Sequence, residues 1–203
     1  MDLLNIILHI DIYLSEIVSA YGTLSYFFLF IVIFLETGLV FTPFLPGDSL
    51  LFAAGAIAAI SSINPYLLIL IIWLAAFLGD TANYWIGKLF GEKLSSKINQ
   101  KYLDKTHEFY NKYGGATIFI ARFVPVIRTF APFVAGLGKM EYKKFFIYNI
   151  TSGLVWTSLF ISLGYLFGNI DLVKQNFSII VIGIIIISFV PVVIGVIKEK
   201  LIR

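Results

Sequence analysis

Long apolar runs, separated by short lysine-rich segments, make up most of this chain. A helix needs about 20 largely apolar residues to cross a membrane. Three runs of that length predict transmembrane helices, at residues 66–90, 145–168 and 177–197. Because the first run includes Asp80, we expect that side of the helix to face the protein interior.

Two further apolar runs, residues 36–60 and 116–138, are interrupted by prolines. Proline removes a backbone donor and tends to stop a helix. Non-helical backbone at membrane depth is tolerated only against protein or a water-filled cavity. Each run is therefore predicted to be a broken helical segment whose prolines mark the turn of a lined site. These prolines are Pro43, Pro46, Pro125 and Pro132.

The lysines predict the orientation of the chain. Lysine and arginine are enriched in cytoplasmic loops, and here they concentrate in residues 91–115, residues 139–144 and the C-terminal tail. We therefore expect these segments, and the C-terminus, on the cytoplasmic side. Since residues 116–138 join two segments on that side, they are predicted to form a re-entrant hairpin. Residues 36–60 would form a second hairpin, entering from the opposite face.

Each hairpin precedes one spanning helix, and the two units point in opposite directions. Such inverted repeats are typical of transporters whose sites lie where broken helices meet. The predicted fold is therefore an all-α integral membrane protein. It is a polytopic helical bundle with two opposed re-entrant helical hairpins in an inverted repeat, formed by one domain (residues 1–203). Residues 1–21 and 92–114 are predicted to be amphipathic helices in the membrane interface.

Composition supports a membrane protein and narrows its functions. Of 203 residues, 59% are hydrophobic and 13% are charged, whereas soluble domains carry about 25% charge. The absence of cysteine excludes disulfides and thiolate metal sites. The net charge of +3 lies mainly in the loops, which does not favour nucleic-acid binding. The oligomeric state stays open, a homo-oligomer included.

Four charged residues stand inside the two broken segments: Glu36, Asp48, Arg122 and Arg128. A charge at mid-membrane depth costs about 2.5–3.5 kcal/mol on insertion scales, so we expect these residues to pair or to contact a ligand. A guanidinium holds phosphate through two parallel hydrogen bonds. Arg122 and Arg128 are therefore candidates for binding the phosphate of a lipid headgroup. The alternative is that both arginines only neutralise the two carboxylates.

A buried carboxylate that takes up and releases a proton would suit proton coupling, and Glu36 and Asp48 are the candidates. Asp48 follows Pro46-Gly47 and is equally well explained as a helix cap. Asp80 and Tyr84 are expected to give polar support. Asn149 and Trp156 are assigned to packing and interhelical hydrogen bonds.

Motifs for catalysis are missing from the sequence. There is no HExxH motif and no histidine in a predicted spanning segment, so we expect no enzyme activity, metal or cofactor. A transporter for a phosphate-bearing lipid, with protons as second partner, is the function these residues favour. A proton-coupled exporter of small cations, a passive scramblase and a structural membrane-protein partner stay open.

Four motifs in order resemble the DedA family of bacterial membrane proteins, related to the eukaryotic VTT-domain or SNARE-associated Golgi proteins. They are E-x(6)-P-x-x-P-G-D at 36–48, G-D-x-x-x-Y-x-x-G-K-x-x-G at 79–91, F-x-x-R-F-x-P-x-x-R-x-x-x-P-x-x-A-G at 119–136, and residues 145–156 with Asn149 and Trp156. The resemblance implies a bacterial inner-membrane protein that flips undecaprenyl phosphate or a phospholipid, driven by proton motive force. It also implies that Glu36, Asp48, Arg122 and Arg128 are essential, in a two-hairpin architecture.

Overall fold

The structure is a computed structural model that describes residues 22–39, 47–95, 100–170 and 173. In these ranges the chain forms helices and no strand, which confirms the all-helical prediction. A 3-10 turn, Gly114–Ala116, lies between the fourth and fifth α-helices. The α-helices are α1 (Thr23–Gly38), α2 (Gly47–Ile60), α3 (Pro65–Ser95), α4 (Gln100–Tyr113), α5 (Thr117–Ala121), α6 (Pro125–Leu137) and α7 (Tyr142–Gly168).

Two of these helices are long and apolar enough to cross a membrane, over Pro65–Gly91 and Tyr142–Gly168. They cover the predicted spans 66–90 and 145–168. The third predicted span, 177–197, and the predicted interfacial segment 1–21 lie outside the described residues.

The interfacial helix predicted at 92–114 begins later in the structure, at Gln100, because α3 continues through Ser95. Helix α4 is amphipathic, as expected of a segment at a membrane surface. Leu103 and Thr106 are buried, whereas Asp104 and Glu108 are exposed.

The segment predicted as the second hairpin consists of α5 and α6 with a break between them. Val124, the residue before Pro125, has extended backbone angles (φ −117°, ψ 105°). A proline disfavours the helical region for the residue before it and is itself well placed at the start of a helix. Pro132 lies inside α6 and does not interrupt it, so assigning it to the turn was wrong. The re-entrant course of this segment and of residues 36–60 stays a prediction.

The chain divides into two compact units. We call residues 27–45 and 69–157 the polar unit, and residues 1–26, 46–68 and 158–203 the apolar unit. Across the described parts of the chain, every buried side chain that is polar or charged belongs to the polar unit.

In the apolar unit, α2 and α7 approach each other at backbone distance through two glycines. A Cβ atom on Gly55 would overlap the carbonyl oxygen of Ile161, and one on Gly164 would overlap that of Phe52. Small residues at helix interfaces allow such approach in membranes, where packing rather than hydrophobicity drives association. We call this arrangement a reciprocal glycine pair.

In the polar unit, α3 and α6 form a second reciprocal glycine pair. A Cβ on Gly87 would overlap the carbonyl oxygen of Phe133, and one on Gly136 would overlap that of Tyr84. This contact fixes α6, which carries Arg128, against α3 one to two turns after Asp80.

Candidate functional site

Four buried charged side chains form the centre of the polar unit. Glu36 lies in the last turn of α1, Asp80 in the middle of α3, Arg122 in the break after α5, and Arg128 near the start of α6. Their exposed fractions are 3%, 3%, 3% and 8%. Two positive and two negative groups thus share one interior region, which we call the charge cluster.

Arg122 uses most of its donors inside the cluster. Its Nη2 donates to Asp80 Oδ2 and, at 2.7 Å, to Asn149 Oδ1, while its Nε donates to Ser152 Oγ at 3.1 Å. Its Nη1 is buried and finds no acceptor among the residues that the structure describes. An unused buried donor is costly, so this nitrogen is available to an acceptor supplied by a ligand.

Arg128 joins α6 to α1. Its Nη2 donates to Glu36 Oε1 at 2.5 Å in a buried ion pair. Asn83 reinforces the junction, because its Nδ2 donates to the carbonyl oxygens of Thr37 (3.1 Å) and Thr129 (2.9 Å). Three helices, α1, α3 and α6, therefore meet through polar contacts around this pair.

Trp156, from α7, packs against both arginines. The guanidinium carbons of Arg122 and Arg128 lie 5.7 Å and 5.0 Å from the centre of its ring. Both distances are within the range of cation–π attraction. The indole is fully buried, so the two cations share one aromatic contact inside the cluster.

One face of α7 supplies the remaining polar contacts of the cluster. Asn149, Ser152 and Trp156 are spaced three and four residues apart, which places them on the same side of a helix. Asn149 also donates from Nδ2 to the Phe77 carbonyl oxygen at 3.1 Å. Interhelical hydrogen bonding was the expected role of Asn149, but its contact with Arg122 was not foreseen.

The structure brings together three of the four predicted charges: Glu36, Arg122 and Arg128. Asp80 is the direct partner of Arg122, a closer role than the polar support expected of it. Asp48 lies in the first turn of α2, in the apolar unit. A negative charge there is favoured by the helix dipole. The capping role and the proton-responsive role of Asp48 both stay predictions.

Tyr84 was expected to give polar support together with Asp80, but its hydroxyl makes a different contact. Its hydroxyl donates to the Met140 carbonyl oxygen at 2.5 Å, and its ring stacks on Phe145 at 4.6 Å. It thus fixes the chain that follows α6. Asn83 was missed by the sequence analysis, although its position three residues after Asp80 was a usable signal.

The cluster has the chemistry of a gated anion site. Each guanidinium has five donors in a fixed fork, and a carboxylate now occupies part of each fork. Protonation of a carboxylate would weaken its hold on the arginine and allow a phosphate to replace it. Within the described ranges, no group of three or more His, Cys, Asp or Glu side chains could hold a metal ion.

Comparison with known proteins gives consistent matches. The VTT domain family matches residues 45–166. Protein DedA of Escherichia coli (strain K12) is 52% identical over 98% of this chain and 94% of its own length. An uncharacterized membrane protein of Mycobacterium leprae (strain TN) is 40% identical over 81% and 76%. Inner membrane protein YqjA of Escherichia coli (strain K12) is 35% identical over 70% and 67%. No solved structure matches the chain significantly.

Proposed function

Because this chain belongs to the DedA family of VTT-domain membrane proteins, we propose that it moves a phosphate-bearing lipid between the leaflets of the bacterial inner membrane. The candidate lipids are undecaprenyl phosphate and phospholipids. The observation that carries the proposal is the charge cluster, in which two buried arginines share one tryptophan. The proposed activity breaks no covalent bond and uses no metal or cofactor.

The geometry of the arginines supports phosphate as the ligand. Both cations lie against the ring of Trp156, and Arg122 Nη1 has no acceptor within the described residues. Phosphate oxygens accept parallel hydrogen bonds from a guanidinium fork. A lipid phosphate would take the acceptor positions now held by Asp80 and Glu36. Removing the phosphate from water is costly and is offset only when its oxygens are hydrogen-bonded with good geometry, which is the role we propose for the two guanidinium groups.

The carboxylates would couple this exchange to protons. Protonation of Glu36 removes the charge that holds Arg128, and loss of the proton restores the pair. Asp80 can act on Arg122 in the same way. We propose Asp48 as a further proton-responsive group, in addition to its place at the start of α2. A proton gradient would then favour lipid binding on the proton-rich side and release on the other.

The pairing of the charges argues against the export of small cations. Such an exporter would need Glu36 or Asp80 as a cation ligand, but each carboxylate accepts a hydrogen bond from an arginine. The translocation assay that tests the main proposal also tests for a passive scramblase, because a scramblase would move lipid equally well without a pH gradient.

The test is a translocation assay with the full chain in proteoliposomes. Vesicles contain undecaprenyl phosphate or a labelled phospholipid, and the label in each leaflet is measured with and without a pH gradient. Arg122→Lys should slow translocation about tenfold or more, since one ammonium cannot reproduce the bidentate fork. Arg203→Lys makes the same chemical change outside the two broken segments and serves as control. Unchanged translocation by Arg122→Lys would overturn phosphate binding by this residue.

A further inference from the structure

A cleft of about 330 Å³ lies in the polar unit, apart from the charge cluster. The end of α4, the 3-10 turn Gly114–Ala116, the end of α6 and the first turn of α7 form its walls. Its lining includes Tyr110, Gly115, Val134, Ala135, Met140 and Lys144. We call it the lysine cleft. It contains none of the four charged residues of the cluster.

Lys144 has a defined place at this cleft. A Cβ atom on Gly115 would lie 2.5 Å from Lys144 Cε and 3.1 Å from its Nζ. Glycine at position 115 leaves room for the lysine stem to lie there, and a Cβ atom would displace the flexible end of this side chain. The side chain is exposed, and among the described residues Lys144 forms no salt bridge. Its ammonium group is therefore positioned at the cleft without an anionic partner from that part of the chain.

Helix stability does not explain this lysine. Lys143 and Lys144 lie in the first turn of α7, which has no acidic residue, and the positive end of the helix dipole disfavours cations there. The ammonium is not required to cap α6 either. The Val134 carbonyl oxygen accepts from Gly138 N–H at 2.8 Å, and that of Ala135 accepts from Met140 N–H at 2.9 Å.

The remaining walls are uncharged and mostly apolar. Val134, Ala135 and Met140 supply aliphatic surface. Tyr110 donates its hydroxyl to the Ala131 carbonyl oxygen at 3.0 Å. Burial, with a smaller effect from Tyr84, raises the pKa of Tyr110 far above its ordinary value, so its phenol stays neutral. The cleft thus combines an apolar wall with one cation.

We propose that the lysine cleft binds the headgroup of an anionic phospholipid, with the phosphate at Lys144 and the glycerol region against Val134 and Met140. Basic pockets at the cytoplasmic side of membrane helices bind anionic lipid headgroups in this way. Lys139 and Lys143 are also exposed nearby along the chain and add positive charge. A water-soluble phosphate compound would gain little from contact with the aliphatic walls. The site does not depend on the proposed translocation, because a lipid could occupy it without being moved.

The test is lipid binding to the delipidated full chain in detergent, measured by native mass spectrometry. Phosphatidylglycerol is titrated against wild type, Lys144→Gln and Lys143→Gln, with phosphatidylcholine as the uncharged comparison. The neighbouring Lys143 is exposed and lies in the same turn, so its variant changes net charge equally. Lys144→Gln should weaken phosphatidylglycerol binding about fivefold and leave phosphatidylcholine binding unchanged. Lys143→Gln should have a smaller effect.

A second variant tests the cleft itself. Gly138 lines the cleft, is exposed and has an ordinary φ of −75°, so leucine is compatible with the backbone angles there. Its Cβ would lie 3.2 Å from the Val134 carbonyl oxygen, which requires a small local shift. Gly138→Leu should reduce phosphatidylglycerol binding while Lys144 stays in place. Equal losses in Lys143→Gln and Lys144→Gln would show diffuse attraction to the surface and overturn the proposal. So would an unchanged affinity in Lys144→Gln, or displacement of phosphatidylglycerol by equimolar inorganic phosphate.

Discussion

The two compact units use the same packing device but differ in chemistry. Each contains one reciprocal glycine pair between a short helix and a long one, α2 with α7 and α6 with α3. In the described part of the apolar unit, no polar or charged side chain is buried, whereas the polar unit holds the whole charge cluster. Close helix packing in this protein therefore does not require buried charge. The cluster needs another explanation, and binding of an anionic ligand supplies one.

The likeness of the two glycine pairs also bears on the proposed internal repeat. Each of the four helices contributes one glycine and one carbonyl oxygen to its pair. In every helix, the glycine comes three residues after the residue that contributes the carbonyl oxygen. The residues concerned are Phe52 and Gly55, Tyr84 and Gly87, Phe133 and Gly136, and Ile161 and Gly164. A duplicated unit that kept its packing and changed its chemistry would have this pattern, which supports the inverted-repeat proposal.

The largest effect is expected from breaking the charge cluster. Arg122→Ala leaves Asp80 buried without its cation, which should cost about 3–5 kcal/mol of unfolding free energy. Leu68→Ala, a truncation of a fully buried side chain in the apolar unit, should cost about 2–5 kcal/mol. Denaturant unfolding in detergent measures both. Only Arg122→Ala should abolish translocation by the folded fraction of molecules.

A double variant separates the structural role of Arg122 from ligand binding. Arg122→Met with Asp80→Leu removes both charges, and replacing a buried pair by apolar residues is often neutral or stabilising. Stability should recover in part, since Asn149 and Ser152 still lose a partner. Translocation should stay absent. Recovery of translocation together with stability would mean that Arg122 acts only as a structural partner.

The next effect tests whether the two glycine pairs are equivalent. Gly136→Ala and Gly164→Ala each place a methyl group on a carbonyl oxygen of the partner helix. Because the backbone must move, each should cost about 1–3 kcal/mol. Gly153→Ala is the control, since the three atoms nearest its Cβ are side-chain atoms, Trp73 Cδ1 at 3.2 Å, Trp73 Nε1 at 3.5 Å and Arg122 Cζ at 3.7 Å. Loss of stability in one unit alone would contradict the equivalence.

The helical fold and most of the charged residues of the cluster could be predicted, because helix length and intramembrane charge are both visible in the local sequence. Apolar length predicted the spans of α3 and α7, and Pro125 predicted a break, which the structure places at Val124. Pro132 was misjudged because a proline inside a helix removes only one hydrogen bond, and packing of the helix can offset that loss.

The pairing within the charge cluster could not be predicted, because it depends on which helices touch. Glu36 and Asp48 were the expected partners of the arginines, and sequence spacing does not show that Asp80 pairs with Arg122 instead. The structure pairs Arg122 with Asp80, and Arg128 with Glu36. The contact of α6 with α3 does not decide this pairing, because α6 carries Arg128, whose partner lies on α1. The contact of Trp156 with both arginines could not be predicted either, because an aromatic residue in an apolar helix usually serves packing.

The smallest effect on unfolding free energy is expected from removing a single tyrosine hydroxyl, and each unit offers one for comparison. Tyr110 donates to the Ala131 carbonyl oxygen at a partly buried position, whereas Tyr26 accepts from Asn64 N–H at an exposed one, at 2.8 Å. Tyr110→Phe should cost about 1 kcal/mol of unfolding free energy, because the carbonyl group loses a partner away from water. Tyr26→Phe should cost about half as much or less, since water replaces the lost hydroxyl. Denaturant unfolding of both variants in the same detergent measures the two losses of unfolding free energy. A larger loss in Tyr26→Phe would mean that the apolar unit, despite having no buried polar side chain in its described part, depends on polar contacts at its surface.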